Sequence, residues 1–321
     1  MKAMVCSAYG PPERLELRDL PTPVPGEKEV LIRVQVTAVN DYDWAMVRGK
    51  PWLYRLLFGL TRPKNPVPGM ELSGIIEALG PGASRFQVGD AVFGDISGFG
   101  FGSFAEYLCI HEDAVIAKPP EIGFVDAAAL PHASLLAWQG LVELGGLREG
   151  QTVLINGAGG GVGTFGLQLA KLYGAEVTGV DTGKKLEMMK ALGFDRVTDY
   201  RQEDFTRSVK RYDLILDTKT GRSPFAYARA LKPGGVYVTV GGQLPRLMQL
   251  LLLAPWISRI RTRSLRLLAL KPNKGLPEII RLYQDHKLKC VVDGPYTLEE
   301  APAALRYFGE GKHSGKVILR N

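Results

Sequence analysis

Asn156-Gly-Ala-Gly-Gly-Gly-Val-Gly163 is the stretch of this chain whose residue types and spacing best suit a chemical task. It follows the apolar run Thr152-Val-Leu-Ile-Asn156 and opens a helical pattern from Val162 to Tyr173. A turn from a buried strand into a helix needs glycine where the chain exits sharply and where backbone N–H groups approach an anion. A further glycine is needed where helix packs on sheet. A literal GxGxxG match falls on Gly161, Gly163 and Gly166. Because the strand ends at Asn156, the working register is instead Gly157, Gly160 and Gly163, with Gly161 and Val162 between them. Partial positive charge at the helix N-terminus completes a seat for the pyrophosphate of a dinucleotide. Asp181 ends the next strand pattern, Glu176-Val-Thr-Gly-Val180, near the ~20-residue spacing at which a carboxylate meets a ribose. The alternatives are a ligand-free glycine turn and an Asp181 that caps the following helix.

These residues must be positioned by a regular alternation of elements. After the loop come a helix over Lys184 to Leu192, a strand Asp213 to Asp217, a helix near Phe225 to Leu231 and a strand Gly235 to Val240. That grammar predicts βαβ units and a doubly wound parallel sheet, a Rossmann α/β fold. Residues 1 to about 120 read differently. Val30-Leu-Ile-Arg-Val-Gln-Val36 alternates apolar and polar positions, and proline and glycine punctuate the rest, which predicts a small barrel-like β domain. From about Asn273 the pattern is mixed again, with a helix Leu276 to His286 and a last strand Lys316 to Leu319. The expected organisation is a first catalytic part over 1–126, a dinucleotide-binding domain over 127–268, and a return over 269–321.

Bulk properties narrow the function classes. At 321 residues two domains are the default, and 45% hydrophobic with 23% charged residues is globular composition. The net charge of +7 is spread along the chain with no run of five Lys/Arg, so a nucleic-acid partner is not expected. Cys6, Cys109 and Cys290 form neither a disulfide framework nor a CxxC pattern, which suits a reducing compartment. The N-terminal residues lack a signal-peptide pattern, and a cytoplasmic protein is expected. Leu247 to Ile257, interrupted by Pro255 and followed by Arg259, Arg261, Arg263 and Arg266, invites a membrane reading. A helix lining a pocket or a dimer face, with the arginines solvated beyond it, is the preferred reading.

The order of further motifs resembles the zinc-independent quinone oxidoreductase branch of the medium-chain dehydrogenase/reductase superfamily. The segments that carry it include Val39-Asn-Asp-Tyr-Asp43, Pro68-Gly-Met-Glu-Leu-Ser-Gly74, Val88-Gly-Asp-Ala-Val-Phe93, Gly102-Ser-Phe-Ala-Glu-Tyr107 and His313-Ser-Gly-Lys-Val-Ile-Leu319. The resemblance implies a GroES-like β-barrel catalytic domain built from both chain ends, an inserted Rossmann domain, a cofactor cleft and a homodimer. Zinc-dependent relatives place Cys, His and Cys where this chain has Asn40, Met70 and His132, and Asn and Met are poor zinc ligands. No two of His111, His132, His286 and His313 are spaced as a helical ligand pair, so they are read as ordinary surface or core histidines and no metal is expected. By resemblance, Asn40 stands beside the nicotinamide ribose, Tyr200 flanks the adenosine end, and Thr218, Gly241 and Gly242 offer backbone to the cofactor. Lys316 matches the basic residue that reaches the pyrophosphate. Leu136 departs from the threonine that relatives often carry.

Without a Lewis acid, alcohol oxidation is disfavoured, whereas a hydride donor can reduce electrophiles that need little activation. The expected reaction is therefore NAD(P)H-dependent reduction of small lipophilic quinones or of the C=C bond of α,β-unsaturated carbonyls, with Tyr42 a candidate proton donor. A dinucleotide-binding scaffold or sensor and a peripheral membrane adaptor are the alternatives. Asp181 favours NADH through the ribose hydroxyls, while the resemblance favours NADPH, whose 2′-phosphate Lys184, Lys185 and Arg201 could meet.

Overall fold

A computed structural model describes residues 1–321, the side chains of Leu57, Ile260 and Arg261 excepted. The chain opens with strands β1 (Lys2–Val5), β2 (Glu16–Asp19), β3 (Glu29–Ala38), β4 (Glu71–Leu79), β5 (Ala91–Asp95), β6 (Tyr107–His111) and β7 (Ile116–Ala117). Helices α1 (Asp41–Arg48), α2 (Arg55–Phe58) and α3 (Phe124–Ala129) lie among and after them. Beyond α4 (Pro131–Trp138), strands β8 (Thr152–Asn156), β9 (Glu176–Asp181), β10 (Arg196–Asp199), β11 (Tyr212–Asp217), β12 (Leu231–Thr239) and β13 (Ser264–Leu267) follow. They alternate with α5 (Gly161–Leu172), α6 (Leu186–Leu192), α7 (Pro224–Ala230) and α8 (Leu244–Arg261). The last elements are α9 (Leu276–Gln284), β14 (Val292–Thr297), α10 (Ala301–Gly309) and β15 (Lys316–Arg320).

Two compact units result, one from Met1–His132 with Val292–Asn321 and the other from Ala133–Val291. In the first, strands run in the order β14-β15-β3-β4-β5-β7, with β6 also paired to β3. All these pairings are antiparallel except β14–β15. The alternation read at Val30 to Val36 is visible directly: Val30, Ile32, Val34 and Val36 are buried and the residues between them are partly exposed. Val30, Ile32 and Val34 pack with Leu72, Ile76 and Val92 in one core, and Met4, Val39, Phe104, Leu305 and Val317 belong to a second.

The second unit carries a six-stranded, wholly parallel sheet in the order β10-β9-β8-β11-β12-β13. The chain starts in the middle at β8, winds outward through β9 and β10, then crosses back to β11. This is the doubly wound order whose reversal point lies between β8 and β11. Sheet residues Leu154, Val180, Ile215 and Tyr237 are fully buried, as strands covered on both faces must be.

The unit limits differ from the sequence-based ones of 126/127 and 268/269, for identifiable reasons. Helix α3 packs on β3 and β4 and so stays with the first unit. Residues 269–291 are tied into the second: Gln139 Nε2 donates to the carbonyls of Lys271 and Lys274 at 2.9 and 3.0 Å. Gln168 likewise exchanges two hydrogen bonds with the Lys289 backbone.

Helix α8 buries Leu250 and Ile257 and exposes Met248, Leu251, Leu252 and Trp256. No helix among the described residues is long and apolar enough to cross a membrane. The arginines beyond it are not simply solvated. Arg263 donates to the Leu231 carbonyl and Arg266 to that of Leu144, whereas the Arg261 side chain lies outside the described residues.

Candidate functional site

In the second unit, the glycine loop sits between β8 and α5, as its sequence requires. Gly157 has φ +84°, and a side chain there would strike Thr218 Oγ1. Gly163 faces the Ala158 backbone so closely that a Cβ would collide with its carbonyl. Fold alone explains these two glycines. Gly160 is different. Its backbone (φ −89°, ψ 177°) is one that any residue adopts, and it is the N-cap of α5. Its conformation therefore does not itself require glycine. Helix geometry leaves the N–H groups of Gly161, Val162 and Gly163 without intrahelical acceptors, and these are the donors a pyrophosphate needs.

The other residues expected here meet at the same carboxyl edge of the sheet, beside the reversal point. Asp181 closes β9, is 8% exposed, and accepts the Gly159 N–H at 2.9 Å through Oδ2. Its Oδ1 accepts the Thr182 N–H at 2.8 Å and lies 3.7 Å from Lys185 Nζ. Asp181 therefore braces the phosphate loop rather than capping a helix, and the buried Lys185 is its partner. The Tyr200 N–H donates to the Asp181 carbonyl, which sets an exposed Tyr200 ring beside Arg201 at this edge. Thr218 donates through Oγ1 to the Asn156 carbonyl at 3.1 Å. The Gly241 carbonyl accepts from the Thr220 and Thr239 hydroxyls, and Gly242 has φ +138°.

Two residues that sequence reasoning missed belong to this edge. Asp217 accepts from Asn156 Nδ2 at 2.7 Å and Tyr237 Oη at 2.9 Å, locking the ends of β8 and β11 together. Lys219 follows it, exposed, with Cε 3.3 Å from where a Gly157 side chain would begin. Lys219 beside Gly157 and Lys185 beside Gly159 are thus cations that the structure brings to the phosphate loop.

Lys316 has a different task from the one expected. It lies in the first unit, 4% exposed, and its ammonium donates to Glu71 Oε2 at 2.7 Å and to Asn40 Oδ1 at 2.6 Å. Asn40 is equally occupied: Nδ2 donates to Glu71 Oε2 and to the Ala38 carbonyl. Both side chains are thus engaged in this buried cluster of the first unit. Asp43 accepts the N–H groups of Asn40 and Gly69, and burial pushes its carboxyl up to about 7. His132 N–H donates to Glu71 Oε1 at 2.7 Å, and its Nδ1 lies 2.8 Å from Asp95 Oδ2. His132 is thus a buried, hydrogen-bonded core histidine that belongs to this charged cluster. Met70, buried beside Glu71 in sequence, adds no polar atom to it. Among the described residues no group of three or more His, Cys, Asp or Glu is set to hold a metal ion.

Tyr42 is 41% exposed and part of an aromatic wall. Its ring lies 6.3 Å from that of Tyr54 and 6.5 Å from those of Phe58 and Phe101. Burial, then the charges of Asp95 and Asp41, push its phenol up, which makes it a weaker acid than a free tyrosine.

Known proteins resemble this chain over nearly its whole length. Residues 26–120 match the alcohol dehydrogenase GroES-like domain family, and residues 192–319 match the family described as zinc-binding dehydrogenase. A chloroplast envelope quinone oxidoreductase homolog of Arabidopsis thaliana is 30% identical, over 99% of this chain and 98% of its own length. An NADPH-dependent alkenal/one oxidoreductase of the same plant is also 30% identical, over 99% of this chain and 79% of its own. The solved quinone oxidoreductase of Coxiella burnetii superposes with a TM-score of 0.85 at 28% identity, covering 100% of this chain and 99% of that one. With both units and nearly every residue included in these matches, the chain belongs to the zinc-independent quinone oxidoreductase branch of the medium-chain dehydrogenase/reductase superfamily.

Proposed function

We propose that this protein is an NAD(P)H-dependent oxidoreductase that reduces quinones or the C=C bond of α,β-unsaturated carbonyls. The observation that carries the reading is the glycine loop, where Gly160 caps the N-terminus of α5 at the carboxyl edge of a doubly wound sheet. The bound dinucleotide supplies the hydride. Gly160 leaves room for its pyrophosphate, Lys219 adds a cation there, and Asp181 presents a carboxylate at the ribose end. The substrate is a small lipophilic electrophile.

The expected result of a substrate panel is turnover of 9,10-phenanthrenequinone or 1-octen-3-one and none of ethanol or benzyl alcohol. Alcohol turnover exceeding that of every quinone and enone would overturn the assignment. Activity is also expected to survive chelator, with no stoichiometric zinc by elemental analysis, since Asn40 and Met70 replace ligand types.

The cofactor preference follows from Asp181, which is fixed by Gly159 and faces Lys185. A carboxylate there accepts ribose hydroxyls and repels a 2′-phosphate, while Lys185 and Arg201 soften that repulsion. NADH is the preferred cofactor and NADPH an accepted one. Asp181→Ser is expected to shift kcat/KM toward NADPH by about tenfold, or ~1.4 kcal/mol. An unchanged ratio would mean that the lysines decide. A homodimer, testable by sedimentation, and a cytoplasmic location, consistent with three cysteines outside any disulfide, complete the proposal.

A further inference from the structure

Helix α8 is apolar on the side that faces water as well as on the side that packs. Leu250 and Ile257 are buried in the core of the second unit, with Leu253 and Ala254 packed against it. On the opposite face Met248, Leu251, Leu252 and Trp256 are exposed, Leu252 by 75% and Trp256 by 55%. Phe225, exposed near the start of α7, meets Trp256 edge to face with ring centroids 5.8 Å apart, so two helices contribute to one apolar patch. A contiguous patch of this kind on a water-facing surface marks a place that something covers. The charge around it is one-sided. From Thr218 to Pro277 the chain has eleven Lys and Arg and no Asp or Glu, whereas the rest of it has 29 against 33. Carboxylates from elsewhere balance three of the eleven: Asp204 pairs with Arg222, Asp213 with Lys232 and Glu143 with Lys274. Arg229 and Arg266 donate to the carbonyls of Thr206 and Leu144, which hold them without cancelling their charge. Two exposed arginines share the apolar face by helical spacing. Arg259 lies three residues beyond Trp256 on α8, and Arg229 lies four beyond Phe225 on α7.

We propose that this face docks on an anionic phospholipid surface, with α8 lying in the headgroup plane. The leucines, Met248 and Phe225 enter the boundary between headgroups and acyl chains, Trp256 sits at the depth that indole rings favour, and the arginines meet the lipid anions. A second copy of the chain is the competing occupant. A two-fold contact sets the face against itself, so Arg229 and Arg259 would be buried against a surface whose own segments supply no carboxylate. An anionic lipid surface turns the same charge into attraction. On the reductase reading, docking holds the enzyme where lipophilic quinones and enones partition, but the docking itself does not depend on that reading.

The test is co-sedimentation of the full chain with vesicles of phosphatidylcholine alone or of phosphatidylcholine with about 30% phosphatidylserine. Wild type is expected to bind the anionic vesicles at least about tenfold more strongly than the neutral ones, and roughly 0.5 M salt should remove most of that difference. Leu252→Ser with Trp256→Ser is expected to cut anionic-vesicle binding about tenfold or more, because the apolar contact is lost. Arg229→Gln with Arg259→Gln should cut it by a similar factor through lost attraction. All four side chains are exposed, so urea unfolding of both variants should match wild type. Equal binding to neutral and anionic vesicles, or undiminished binding by either variant, overturns the proposal. Sedimentation velocity on the same samples reads the competing occupant. A wild type that ignores vesicles, with a dimer lost in Leu252→Ser/Trp256→Ser, assigns the face to self-association and overturns the lipid proposal as well.

Discussion

Glu71→Leu is expected to destabilise the protein by about 3–5 kcal/mol, the loss typical when one member of a buried ion pair is removed. Glu71 is fully buried and satisfies three donors: Lys316 Nζ, Asn40 Nδ2 and the His132 N–H. Leucine fills similar space but leaves the Lys316 ammonium unpaired at 4% exposure. Adding Lys316→Met removes that stranded charge, so the double variant should be more stable than Glu71→Leu alone. Urea unfolding of the two single variants and the double measures this directly. A Glu71→Leu loss below about 1 kcal/mol, the range of exposed pairs, would mean that water reaches the cluster.

Gly160→Val is expected to weaken dinucleotide binding at least about tenfold, ~1.4 kcal/mol, while leaving stability close to that of wild type. Its backbone accommodates a side chain, so the cost falls on the ligand. Gly163→Val is the contrasting variant, since its Cβ would collide with the Ala158 backbone and should reduce stability itself. Fluorescence titration with unfolding curves separates the two effects. Unchanged affinity in Gly160→Val would show that the pyrophosphate lies elsewhere.

What the sequence revealed and concealed divides along physical lines. Strands β8, β9 and β11 and helix α5 were legible because runs of buried residues and the 3.6-residue pattern are local signals. The short edge strand β10, mostly half-exposed, carries no such run and was not identified. The glycine register was readable once the strand end at Asn156 was fixed. The charged cluster was not. Glu71 and Lys316 are 245 residues apart, and Asp95 and His132 are 37 apart, so only the fold could show which charges pair. Motif resemblance consequently sent Lys316 to the pyrophosphate, while the lack of ligand-pair spacing left His132 among ordinary surface or core histidines. Lys219 gave no motif at all, although a basic residue just after the strand carrying Asp217 was the available signal.

Transfer of hydride to carbon is the central claim, and isotope tracing measures it most directly. The protein is incubated with NADH deuterated at both C4 positions and 1-octen-3-one, and the product is analysed by mass spectrometry and NMR. The expected result is a saturated ketone carrying one deuterium, located at the β-carbon. A saturated ketone without that deuterium, or cofactor oxidation that leaves the enone and a parallel quinone sample unreduced, would contradict the account.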